Sequence, residues 1–327
     1  MRIARILQHL GLACLGLACL GLAFHASPAL SQAYPARTLH FVSAFPPGSG
    51  ADIIVRYFAD RIGTLTRQSI VVENRTGANG NIALEHTLRS PPDGYTIFIH
   101  AANAIASNSH LIKNNRIEMS QVQIAATINQ QGFMVAVDRN SPIQSIQDLT
   151  ARLKSGGEKV SYGSSSNQGL IAGSLLNEMG GFNAVFVNYR TSADSLNDIA
   201  SGALDFAFID PAAALAMERQ GRIRILAVML DQRLPFRPDI PTLAENGYPI
   251  SIVGWFAAVV PAATPAEIVD QINGWMRTII ATPEAEKFLA DTGAVPWTNT
   301  PAEGQARLLK DVETWRSYIR AAKLTPQ

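Results

Sequence analysis

Two loops carry the side chains best suited to chemistry, Phe45-Pro-Pro-Gly-Ser-Gly-Ala-Asp52 and Tyr162-Gly-Ser-Ser-Ser-Asn-Gln168. Each follows a β-rich run and precedes a segment of helical spacing. The start of a helix presents N–H groups without intrahelical partners and a partial positive charge, and therefore binds anions. Gly48 and Gly50 let the backbone approach a ligand closely, and Ser49, Ser164, Ser165 and Ser166 add hydroxyls. The same residues also make an ordinary strand-to-helix turn and a capping cluster, and the residues alone leave both readings open. Asp52 falls in a first helical turn, where a carboxylate caps or offsets the dipole. It would repel a bound anion, so it reads as fixing the loop. Asp210 precedes Pro211, the pattern of an Asp N-cap with Pro at the first helical position. Its alternative is an acceptor for a ligand hydroxyl or ammonium. Tyr189 and Arg190 follow a strand and can close on a ligand, although Arg190 reads equally as a surface charge. The Asn74-x-Thr76 sequon is read as chance.

Catalytic constellations are missing from the sequence. There is no His-Glu-x-x-His and no P-loop. Gly163-x-Ser165-x-Asn167 lacks the closing glycine of a nucleophile elbow. Gly48-x-Gly50-x-x-Ile53 lacks the third glycine of a dinucleotide fingerprint. His40, His86, His100 and His110 are not spaced as metal-ligand pairs. A serine hydrolase assembled in space is the enzymatic alternative; the reading adopted is no enzyme, no cofactor and no metal.

The elements that hold these loops follow from composition and pattern. The chain has 327 residues, 47% hydrophobic and 16% charged, with 27 Lys plus Arg against 26 Asp plus Glu. That excludes disorder, a collagen-like chain and a coiled coil. A net charge of +1 argues against a nucleic-acid binder. Arg2 and Arg5, the uncharged run Leu10–Phe24 and the small residues Ser31 and Ala33 make a secretory signal peptide over residues 1–33. Both cysteines, Cys14 and Cys19, fall inside it. The residues around Cys19 lack a lipidation pattern. The mature chain is then cysteine-free and extracytoplasmic, which in a Gram-negative cell is periplasmic.

After residue 33, β-rich runs alternate with helical ones. Strands are expected at Thr38–Ser43, Ser69–Glu73, Tyr95–Ile99, Phe133–Val137, Val160–Tyr162, Ala184–Asn188, Phe206–Ile209, Ile223–Met229 and Val253–Val260. Helices fall between them. The last 60 or so residues read as helical, with Thr N-caps before Pro at Thr264, Thr282 and Thr300. Two α/β sets without a Ser/Gly linker point to an α/β fold of two lobes. Residues 34–133 plus 226–327 form one lobe and 134–225 the other, with crossovers near 125–135 and 223–229. Each lobe is expected to be a mostly parallel sheet flanked by helices.

Taken together, several motifs resemble the Bug-type solute receptors of tripartite tricarboxylate transporters. They are Tyr34-Pro35, Phe45-Pro-Pro-Gly-x-Gly-Ala-Asp52, Val71-Val-Glu-Asn-Arg-x-Gly-Ala78, Asp93-Gly-Tyr95, Tyr162-Gly-Ser-Ser165 and Pro241-Thr-Leu-x-Glu245 followed by Gly247. The resemblance implies a two-lobed periplasmic binding protein of the Venus-flytrap kind that holds a small organic carboxylate. It implies ligand contacts from Phe45, Gly48, Ser49, Gly50, Ala51 and Asp52, and from Ser164, Ser165 and Ser166, with Tyr189 and Asp210 opposite. Ala101 and Asn103 stand where the family usually has Thr-Ser-Gly. Ala172 and Leu176 replace a usual His and Glu, and Ser166 a usual Gly. The two alanines at 101 and 102 favour a less polar or aromatic carboxylate over a citrate-like one. The implied partners are membrane transporter subunits, with a sensor kinase as the alternative, and the chain is expected to be monomeric.

Overall fold

The computed structural model describes residues 34–325; the signal-peptide reading lies outside them. The first half of the first sheet is built by a βαβαβ run. Strand β1 (Leu39–Ser43) leads into helix α1 (Gly50–Thr66), β2 (Ile70–Asn74), α2 (Asn81–Leu88) and β3 (Thr96–Ala101). β1 lies between β2 and β3 and is parallel to both. In α1 the apolar positions Ile54, Val55, Phe58, Ala59 and Ile62 recur at helical spacing and are all buried. Helix α3 (Ala102–Leu111) follows β3 directly.

Strand β4 (Val122–Gly132) then carries the chain out of this sheet, and β5 (Met134–Asp138) begins the second, with Phe133 as the single residue between them. The second sheet adds α4 (Ile146–Gly156), β6 (Ser161–Ser164), α5 (Asn167–Gly180), β7 (Val185–Asn188), α6 (Ser192–Ser201), β8 (Phe206–Ile209), α7 (Pro211–Arg219) and β9 (Ile223–Val228). Residues 229–252 lead back to β10 (Val253–Pro261) in the first sheet. There the chain ends with α8 (Ala266–Ile280), α9 (Pro283–Asp291), β11 (Ala294–Pro296) and α10 (Pro301–Ala321). The strand orders are β11-β4-β10-β3-β1-β2 and β7-β6-β8-β5-β9.

Both sheets are mixed, and this refines the expectation of mostly parallel ones. β6 is parallel to β7 and β8. By contrast, β10 is antiparallel to β3 and β4, β11 to β4, and β5 to β8 and β9. The reason is geometric. β4 leaves the first sheet and β10 returns to it, so side by side they run in opposite directions. β5 and β9 enter and leave the second sheet under the same constraint. The Met229 N–H donates to the Phe133 carbonyl at 2.9 Å, tying the returning strand to the outgoing link.

The terminal helix closes the first sheet. Trp255 on β10 is fully buried, and its Nε1 donates to Asp311 Oδ2 on α10 at 2.7 Å. Arg307 Nε donates to Asp311 Oδ1 at 2.7 Å, so the buried carboxylate is paired on both oxygens. Two of the three Thr-Pro helix starts are as expected. Thr282 accepts from Ala285 N–H, and Thr300 forms a reciprocal capping box with Glu303. The third is corrected. The Thr264 N–H closes a turn onto the Pro261 carbonyl. The helix therefore starts one residue later, with Pro265 at the N-cap and no side-chain cap.

Candidate ligand site

The loop from β1 to α1 is wound around Asp52. This side chain is fully buried. Its Oδ2 accepts from Gly48 N–H at 2.9 Å and from Arg56 Nε at 2.7 Å, and its Oδ1 from Asn74 Nδ2 at 2.6 Å. Asn74 Nδ2 also reaches the Phe45 carbonyl at 2.9 Å, and Arg56 returns to Asn74 Oδ1 at 2.9 Å. Asp52 thus holds the loop, as its chemistry suggested. Gly48 sits at φ 77°, in the left-handed region that favours glycine. Ser49 caps α1 by accepting from Asp52 N–H. The N–H groups of Gly50 and Ala51 form no bond among the described residues and remain as donors.

The β6–α5 loop is a second helix start, contributed by the second sheet. Ser164 is buried, and its Oγ accepts from Ser166 N–H at 3.3 Å. Ser166 caps α5 by accepting from Gly169 N–H. Ser165 Oγ lies 3.3 Å from Ser192 Oγ, which donates to Asp210 Oδ2 at 2.6 Å. Asp210 Oδ1 accepts from Ala213 N–H, so Asp210 is the N-cap of α7. This chain of contacts joins three of the second sheet's helix starts.

The two sets of loops face each other. A Cβ added at Gly50 would lie 2.8 Å from Ala212 Cβ and 3.1 Å from Asp210 Oδ1. Asn167 Nδ2 donates across to Ser107 Oγ at 3.4 Å and Asn108 Oδ1 at 3.3 Å, both on α3. Phe45 makes an apolar wall, with its ring centroid 4.6 Å from that of His100 and 5.5 Å from that of Phe256. Burial holds the His100 imidazole down to a pKa of about 4, although the nearby Asn79 backbone favours the charged form. His100 is therefore neutral at physiological pH.

Tyr189 stands apart from this set. Its hydroxyl donates to Asp198 Oδ2 at 2.6 Å, and its ring lies against Gly163. Burial and the Asp198 bond push its pKa up to about 12. Ala101 takes the N-cap position of α3 without a side-chain cap, and Asn103 follows in the first turn, buried. Sequence reasoning passed over Ser192 and Gly254, weighed His100 only as a metal ligand, and took in Gln168 only as the last residue of the second loop. Gly254 lies within a strand and gave no local signal. Arg56, the cation tied into the first loop among the described residues, is spent on Asp52 and Asn74. Among the described residues no three His, Cys, Asp or Glu side chains are grouped to hold a metal ion.

Such a site, with helix starts from two sheets and hydroxyls around them, suits an anion held by neutral donors. Comparison with known proteins gives the family. The family described as tripartite tricarboxylate transporter family receptor matches residues 54–324. The protein BugT of Bordetella pertussis is 26% identical over 302 residues, covering 90% of this chain and 92% of that protein. A Pseudomonas sp. (strain P51) protein of the tcbD-tcbE intergenic region is 28% identical over 302 residues, covering 88% and 87%. Among solved structures, R. palustris Rpa4515 with adipate superposes with a TM-score of 0.85 at 27% identity, covering 90% of this chain and 100% of that one. The periplasmic binding protein BugD superposes at 0.82 and 24% identity, covering 90% and 100%, a likeness of fold. The chain belongs to the tripartite tricarboxylate transporter receptor family, with its two-lobed periplasmic-binding-protein fold.

Proposed function

We propose that this chain is a periplasmic, monomeric receptor that captures a small organic carboxylate between two lobes and delivers it to the membrane subunits of its transporter. The lobes are residues 34–133 with 226–327, and 134–225. The observation that carries this reading is the meeting of helix starts from the two sheets at Gly50 and Ala212, with the Gly50 and Ala51 N–H groups left as donors. The adipate in the 27%-identical R. palustris structure supports the same ligand class. The carboxylate is held by the N–H groups of Gly50 and Ala51 on one side and by the Ser165–Ser166 helix start on the other. Phe45 and Ala101 line the site, and Asp52, Ser164, Tyr189 and Asp210 position the loops. Ligand that bridges both lobes favours the closed arrangement, which the transporter reads.

Magnitudes support a site of many contacts. A micromolar Kd is about −8 kcal/mol. One helix terminus contributes only about 0.3–1 kcal/mol, so several charge-assisted hydrogen bonds of about 1.5–3 kcal/mol each must converge. On this reading the ligand is released chemically unchanged. A thermal-shift screen against mono-, di- and tricarboxylates, aromatic acids, amino acids and neutral sugars tests the reading. Ligand at 100-fold its Kd stabilises by about 2.7 kcal/mol, and at least one carboxylate should raise Tm by several degrees. Hits confined to neutral or cationic compounds would overturn the carboxylate site.

A further inference from the structure

Asn103 presents an unmet requirement inside the cleft. It sits in the first turn of α3 at 1% exposure, and neither its Nδ2 nor its Oδ1 has a hydrogen-bond partner among the described residues. A second amide approaches it from the other sheet. Gln168, in the first turn of α5, is buried, and its side chain forms no hydrogen bond among the described residues. Both amides border the space above Gly254. The point a Cβ would occupy there is 2.9 Å from Gln168 Nε2 and 3.6 Å from Asn103 Oδ1. Glycine lets both amides approach the strand here, and a side chain at 254 would press on the Gln168 amide. The charged groups nearest in the loops, Asp52, Arg56 and Asp210, are already committed to their own partners.

A carboxamide carries a donor edge and an acceptor edge whichever way it is turned. A carboxylate offers acceptors only. A plain dicarboxylate would therefore satisfy Asn103 Nδ2 and leave Oδ1 buried and unmet. We propose that the Asn103–Gln168–Gly254 corner selects a ligand with a neutral group carrying adjacent hydrogen-bond donor and acceptor, such as a carboxamide, at the end remote from its carboxylate. This rests on the carboxylate reading above and adds the class of ligand to it. Sites built to hydrogen-bond a ligand OH or NH reject analogues lacking it by about 10⁴–10⁵-fold.

The test is calorimetric titration of the mature chain with matched pairs, adipate against its monoamide and succinate against succinamate, with each neutral diamide alongside. In at least one pair the monoamide is expected to bind ten or more times tighter than the dicarboxylate. Asn103→Leu, which keeps the shape, should bring that ratio to about one, and Gln168→Met should weaken the monoamide while sparing the dicarboxylate. Should Asn103→Leu not fold, Gly254→Ala serves instead, since its methyl would displace the Gln168 amide from the corner and should abolish the same preference. Equal or tighter binding of the dicarboxylates, a ratio unmoved by these variants, or no binding by either monoamide would overturn the proposal. Binding of a diamide alone, lost in Asn103→Leu, would support the amide corner and sink the carboxylate reading, so the two failures are distinguishable.

Discussion

His100 is the residue with the clearest pH signature. It is buried between Phe45 and Phe98 and kept neutral, its pKa depressed by burial from 6.5 to about 4. The unfolded chain takes up this proton near pH 6.5, and the folded chain only near pH 4. Its contribution to stability is therefore complete above pH 6.5 and is lost as pH falls toward 4. The full span is on the order of 3 kcal/mol. Urea denaturation at pH 7, 5.5 and 4 should show this extra loss in the parent and not in His100→Phe. Parallel pH slopes for the two proteins would mean that the imidazole titrates normally. Asp52 teaches the complementary lesson. Its type and position announced a loop-fixing carboxylate, but its bond to Asn74, which organises the loop from the neighbouring strand, joins residues distant in sequence.

Among the elements, the helix starts divide by whether their capping chemistry is local. Thr300 and Glu303 form a reciprocal box, so Thr300→Ala should cost about 1 kcal/mol in denaturant unfolding. Thr264 looks identical in sequence but caps nothing, and its Oγ1 is buried without a partner. Thr264→Val removes that buried hydroxyl at constant shape and should be neutral or stabilising. A loss of 1 kcal/mol in that variant would restore Thr264 as a cap. Helix α3 was not legible at all. Ala102–Asn108 is buried on every side, and its Ala, Asn and Ser residues show no apolar stripe. A helix packed all round carries no amphipathic period, so only its neighbours define it. The short β11 escaped for a related reason, since three residues are too few to show alternation.

For the whole molecule, the proposed function turns on how closely the two sheets' loops approach. Gly50 is required by space rather than by backbone conformation, because its Cβ would press on Ala212 from the other sheet. Gly50→Ala should push the two loops apart and weaken binding of the best carboxylate at least tenfold. Small-angle scattering of the ligand-saturated variant should then give a larger radius of gyration than the parent. Undiminished affinity in Gly50→Ala would show that the loops do not close on each other during binding.

By itself the sequence determined the α/β alternation, the strand-to-helix loops with their glycines and hydroxyls, and the kinship that follows from their order. These are local signals, written in spacing and turn chemistry within a few residues. Only the tertiary structure decided that the sheets are mixed, that Tyr189 turns to Asp198, and that Asn103, Gln168 and Gly254 share one corner. Those outcomes join residues up to about 150 positions apart. The mixed sheets and the shared corner depend on the chain leaving one sheet by β4 and returning by β10, a constraint that no short window of sequence contains.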